Sequence, residues 1–161
     1  MAMKKLIYAV AFTLVIASSV PAALAKNPND AKVTHLGNGA AFPNDSAVSD
    51  ATHKFEVHVQ GKAVSELAIN MPEGVKVNRG IEVKNKSGQK IPATVSIDGK
   101  IATVAFSEPV APGNSLSVSM KGVNAASYDS NQFLHYQVSA KNEGMKEAIS
   151  LGLVRITTYL S

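Results

Sequence analysis

The chain of 161 residues has no cysteine and no tryptophan, and aromatic residues make up only 6% of it. Without cysteine there is no thiol nucleophile, no Cys-ligated zinc and no covalent haem attachment. That absence says nothing against an oxidising compartment. Arginine occurs twice, as Arg79 and Arg155, and the lysines are dispersed, the densest run being Lys84, Lys86 and Lys90. A nucleic-acid surface needs a basic stripe with interleaved aromatics, and neither is present. Also missing are a G-x-S-x-G nucleophile elbow, a phosphate-cradling glycine loop and a close carboxylate pair suited to glycoside hydrolysis. Glu66, Glu73 and Asp98 fall in turns or alternate outward. The sequence therefore reads as a non-enzyme with no cofactor.

Long apolar runs are missing as well, with one near-exception at the N-terminus. MAMKK is a positive leader, LIYAVAFTLVIASSV is apolar, and PAALA ends in small residues of the A-x-A type. That order is a secretory signal peptide over residues 1–25, cleaved before Lys26. The apolar run is about 15 residues, short of the roughly 20 needed to cross a bilayer core. No stable membrane span is expected after processing. The segment carries Lys4 and Lys5 and no acid, so its removal lowers the formal charge from +4 to +2. Any attraction to anions is correspondingly weak.

From Lys26 to about Thr52 the chain is rich in Asn, Asp, Ala, Gly and Ser, with Pro28 and Pro43. No period is sustained there, so residues 26–52 read as a polar linker or arm. The globular domain is expected over residues 53–161. Within it a two-residue period recurs. HKFEVHVQ sets Phe55, Val57 and Val59 on one face; SELAINM does so with Leu67, Ile69 and Met71; GIEVKNK with Ile81 and Val83. LSVSMKGV turns Leu116, Val118 and Met120 inward, and FLHYQVSA turns Leu134, Tyr136 and Val138 inward. Between them, SEPVAPGNS reads as a connection. The last segment fits a helical stripe in part, but VRITTYL is β-branched and alternates, favouring a strand after Gly152.

Asp98-Gly99 is the type of pair that forms a two-residue I′ hairpin. Partner numbers would then sum to about 197, with Ile91 opposite Phe106 and Val95 opposite Ala102. Pro92 marks an edge or sheet entry. Seven to eight short strands with turn signals between them predict an all-β fold, a single antiparallel immunoglobulin-like β-sandwich. A small barrel is the alternative.

Site chemistry could reside only in the histidines. His53 and His58 are an odd separation apart, so on one strand they point to opposite faces. His53 shares the core parity but can be exposed at the strand start, and His58 lies with Lys54 and Glu56 outside. Both read as surface imidazoles. A copper or zinc set would have to draw on His53, His58 and His135, with Glu56 or His35. Nothing in the spacing demands one, and no metal site is expected. Arg155, a lone arginine in an apolar strand, is expected to pair with Glu108 or Glu147.

FSEPVAPGNSLSVSMKGV resembles a strand–proline turn–strand phrase of periplasmic copper-carrying sandwiches. Their late Asp-Gly-His phrase and mature N-terminal histidine are both missing here. A wider resemblance runs from residue 53 to 160. HKFEVHV, ELAINMPEGVKV, GIEVKNKSGQKI, Pro109-Val110-Ala111-Pro112-Gly113, Leu151-Gly152 through Arg155, and Tyr159 occur in that order. In this the chain resembles a family of exported cyanobacterial proteins classed as a domain of unknown function. The resemblance implies a fold rather than a site, and no catalytic residues. It makes the thylakoid lumen a destination alongside periplasm and exterior. The expected function is surface binding of an envelope or lumenal protein or glycan, with a metal carrier as the alternative.

Overall fold

The computed structural model describes residues 32–126 and 130–161. The expected signal peptide lies outside the described residues. Those residues form ten β-strands and no helix. In chain order these are β1 (His35–Phe42), β2 (Ala51–His58), β3 (Val64–Asn70), β4 (Lys76–Val77), β5 (Ile81–Lys84), β6 (Ala93–Asp98), β7 (Ile101–Val110), β8 (Ser115–Asn124), β9 (Gln132–Asn142) and β10 (Ile149–Thr158). They pair as two antiparallel sheets. The first runs β1-β2-β8-β4, with β5 also on β8; the second runs β10-β9-β3-β7-β6. The all-β sandwich read from the sequence is the fold.

Alternation is what builds it. Apolar side chains two residues apart share a face of a strand, so each strand offers one face to a common core. β2 buries Phe55 and Val57, β3 Leu67 and Ile69, β8 Leu116, Val118 and Met120, and β9 Tyr136 and Val138. Val154 and Ile156 of β10 complete this single cluster. Each such fully buried side chain contributes roughly 1.5–3 kcal/mol of hydrophobic stabilisation.

Four expectations are corrected. First, the segment expected to be a linker contains β1, which pairs antiparallel with β2 from His35↔His58 to Phe42↔Thr52. Its sequence, HLGNGAAF, lacks the alternating large apolar residues that announce a strand. The reason is steric. A Cβ on Gly39 would stand 2.6 Å from Val154 Cγ1, so β1 crosses β10 where only hydrogen fits.

Second, the β6–β7 hairpin is shifted. Ala93 pairs with Phe106 and Asp98 with Ile101, so Gly99 and Lys100 are the turn. Gly99 has φ +59° and Lys100 is not in the positive-φ region, the pattern of a II′ turn with glycine at its first central position. A two-residue shift preserves the inward face, so Val95 now faces Val104. Pro92 does stand at the entry to β6, the edge strand of the second sheet.

Third, β7 continues through Val110, and the connection shrinks to residues 111–114. Pro109 is accommodated because the β3–β7 register jumps from Glu66↔Ala105 to Val64↔Val110, leaving it in the bulged stretch. Fourth, β10 begins at Ile149, ahead of Gly152, which sits at a bulge with φ +112°.

Candidate functional site

His53 lies on the core-facing side of β2. It is 3% exposed, and its Nδ1 lies 2.7 Å from Tyr136 Oη across the sandwich. The rings meet edge to face. Burial lowers the imidazole pKa from 6.5 to about 4, because the charged form would lose its hydration. Burial likewise raises the Tyr136 phenol above its ordinary value. The pair is a neutral, hydrogen-bonded core contact. The expectation of a surface imidazole at residue 53 is overturned, since β2 is covered at that end by β9.

His58 behaves as expected of an outward position. It stands in a row across the first sheet, between its cross-strand partners His35 on β1 and Ser115 on β8. Its Nδ1 is 2.9 Å from Ser115 Oγ, its Nε2 is 3.4 Å from Glu56 Oε2, and its ring stacks on His35 with centroids 5.0 Å apart. His135 is exposed on β9, opposite Arg155 of β10, on the outer face of the second sheet. His53, His58 and His135 therefore occupy the core and the two opposite outer faces. They cannot share an ion.

The sequence did not reveal that β1 brings His35 against His58. Only the β1–β2 register does so, and β1 carried no strand signal.

Arg155 makes no ion pair among the described residues. Its guanidinium lies over the Phe133 ring, 4.8 Å from the centroid. The corrected reading is a cation–π contact. The strands explain it: Phe133 and Arg155 both point outward from neighbouring strands, on the diagonal of the Arg155↔His135 and Thr157↔Phe133 pairs. Leu153 projects on the same side of β10. Phe133 is 56% exposed and Leu153 62% exposed, so together with the arginine they form an apolar, cationic surface. At the start of β10 a groove of about 440 Å³ opens, lined in part by Val33, Gln60, Met145, Ile149 and Leu151. Elsewhere that outer face carries mostly small or uncharged side chains, Ala68, Thr94, Ser96, Thr103, Ala105, Gln137 and Ser139, with one ion pair between Glu66 and Lys141 at 3.4 Å.

On the first sheet, Glu82 accepts contacts from Lys84 and Lys121 at 3.3 Å and from Lys90 at 3.7 Å. Hydrogen bonds from Lys84 and Lys121 hold its carboxyl below the ordinary value. This is a solvated ion-pair network of the kind that lysines on a β-sheet face form, and of small energetic weight.

What the geometry offers is a sandwich with an exposed aromatic–aliphatic–guanidinium surface. The class it defines is a two-sheet antiparallel β-sandwich domain.

The protein family described as protein of unknown function, DUF2808, matches residues 29–157, and the chain belongs to it. That match begins before residue 53 and takes in β1. Among proteins of curated function, none matches this sequence. Similar solved structures include the full-length major pilin SpaD of Corynebacterium diphtheriae, at 13% identity and TM-score 0.56, over 78% of this chain and 34% of the pilin. Domains D2 and D3 of the same pilin are similar at 12% identity and TM-score 0.54, over 79% of this chain and 51% of that one. A non-cellulosomal cohesin of Archaeoglobus fulgidus is similar at 13% identity and TM-score 0.47, over 80% and 91%. This chain thus spans about a third of the full-length pilin. At such identities the likeness to the pilin is one of fold.

Proposed function

We propose that this protein is an exported, non-catalytic β-sandwich that holds an envelope or lumenal partner, protein or glycan, against its β9–β10 surface. The observation that carries this reading is Phe133, Leu153 and Arg155 gathered on one solvent-facing side. Large apolar side chains left in water cost free energy unless something covers them, and aromatic residues and arginine are the types enriched where partners dock. Most neighbours on that sheet face are uncharged, and Glu66 and Lys141 neutralise one another, which favours a partner that is itself weakly charged over the contact.

Export rests on the positive, apolar and A-x-A segments of residues 1–25. No helix of the described residues is long and apolar enough to cross a membrane. The destination is the periplasm or exterior, or the thylakoid lumen in a cyanobacterial host.

The test is affinity capture from a native envelope extract with the wild type and with a Phe133→Ser/Leu153→Ser double variant. A partner held by the wild type and lost by the variant, at unchanged melting temperature, supports the assignment. A partner captured equally by both overturns it.

A further inference from the structure

The geometry points to a divalent transition-metal site on the opposite side of the molecule, built from His35 and His58 with Glu56 beside them. It is independent of the β9–β10 surface, and it replaces the ligand set of His53, His58 and His135 that the fold pulls apart.

Four observations converge on this place. His35 and His58 are cross-strand partners on the outer face of the first sheet, with stacked rings whose centroids are 5.0 Å apart. Each ring is already oriented through its Nδ1. His35 Nδ1 lies 3.0 Å from Val33 O, and a carbonyl only accepts, so that nitrogen carries the proton and Nε2 is left with a bare lone pair. His58 Nδ1 lies 2.9 Å from Ser115 Oγ, a hydroxyl that accepts the Nδ1 proton when Nε2 binds an ion. Imidazole ligands are commonly held in this way, by a partner on the nitrogen that does not coordinate. Finally, the Glu56 carboxylate is 3.4 Å from His58 Nε2.

Gly37 lets the β1 backbone pass close over this pair. The β1–β2 register slips between Leu36 and Gly39, so the Gly37 backbone rides over the pair. A Cβ there would stand 2.9 Å from His58 Nε2, 2.9 Å from Glu56 Cβ and 3.0 Å from Glu56 Oε2. Gly37 is not among the glycines with positive φ, so clearance rather than backbone conformation requires glycine here. His58 is 17% exposed and Glu56 54% exposed, which leaves the donors within reach of an ion from solution.

Among the described residues no three such side chains form a ready metal-binding group. The ion is therefore held by two imidazole nitrogens, with Glu56 as the adjacent carboxylate and water filling the remaining positions. Imidazole nitrogens bind such ions at about 2.0–2.1 Å, so the rings must turn out of their present stack to aim both Nε2 atoms at one ion, and the Nδ1 partners limit that turn rather than pre-form the site. Two imidazole donors select the imidazole-seeking ions Cu(II), Ni(II) and Zn(II), with Cu(II) the tightest. Ca(II) and Mg(II), which take oxygen rather than imidazole ligands, are not bound.

The probe is Cu(II) added to the purified, untagged protein, followed by NMR of the histidine rings and by isothermal titration. Substoichiometric Cu(II) broadens the His35 and His58 ring resonances first and leaves His53 and His135 sharp. Titration gives one ion per chain, and His35→Gln or His58→Gln lowers the affinity at least about tenfold, the lower bound for disturbing a metal ligand's support. His135→Gln leaves it unchanged. Gly37→Ala weakens binding by displacing Glu56 and His58. Broadening that begins elsewhere, or a His58→Gln variant that binds like the wild type, overturns the site. The ring spectra are read on the wild type, so the outcome stands even where a variant folds poorly.

Discussion

Lowering the pH from 7 to 5 should destabilise this protein through one core imidazole. His53 is 3% exposed and hydrogen-bonded to Tyr136, and burial lowers its folded pKa to about 4. In the unfolded chain it titrates near 6.5, so between those values the unfolded state binds the extra proton. Stability then rises with pH, and the His53 contribution is complete above about 6.5 and is lost as pH falls toward 4. Integrating the linkage relation between these two pKa values gives a loss of about 2 kcal/mol by pH 5 and about 3 kcal/mol by pH 4. Against a typical total of roughly 5–15 kcal/mol this is a large share. The assay is urea unfolding at pH 7, 6 and 5, with wild type and His53→Gln. Subtracting the variant's profile removes what the other imidazoles contribute, and stopping at pH 5 limits the carboxylate contribution. A wild-type profile as steep as that of His53→Gln would refute the reasoning, because the buried imidazole would then have the same proton affinity folded and unfolded.

Tyr136→Phe leaves the His53 Nδ1 without its partner in the core, and should lower stability by about 1–3 kcal/mol in the same unfolding assay. Gly99→Val places a β-branched residue at φ +59° with open space around it, so the cost is backbone strain alone, about 1–3 kcal/mol; Lys100→Thr should melt with the parent. Gly39→Ala forces a methyl against Val154 and should cost about 1–3 kcal/mol by overpacking, whereas an arm outside the domain would tolerate it without effect. Intact mass of the protein recovered from its native host should lack residues 1–25; retention of Met1 would contradict export with cleavage.

What could be read from the sequence was whatever an alternating pattern controls. Phe55, Val57, Leu67, Ile69, Leu116, Tyr136 and Val138 fall inward as their spacing requires, because burial of one face fixes parity. The hairpin shows the limit of that reading. Parity is blind to a shift of two residues, so Val95 keeps its face whether it meets Ala102 or Val104; the choice fell to the turn, where Gly99 took the first central position. β1 escaped notice for a different reason. It pairs with β2 while crossing β10 so closely that large side chains are excluded, and glycine and alanine in sequence look the same as a loop.

The same exclusion links the missed strand to the missed site. His53 and His58 attracted attention because they lie close in sequence, yet strand parity separates them by the thickness of a sheet. His35 lies 23 residues before His58 and shares no motif with it, but register places the two side by side. Gly37 and Gly39 perform two separate clearances on one short strand. Gly39 admits β10, and Gly37 lets the backbone pass close over Glu56 and His58 without a side chain striking them. A larger residue at position 39 strikes the core and is read as lost stability. At position 37 it strikes an outward-facing pair of polar side chains, and the fold alone does not need those two side chains to lie open to an ion. The two glycines can therefore be told apart by measurement: Gly39→Ala moves the melting temperature, while Gly37→Ala should act more on copper affinity than on the melt.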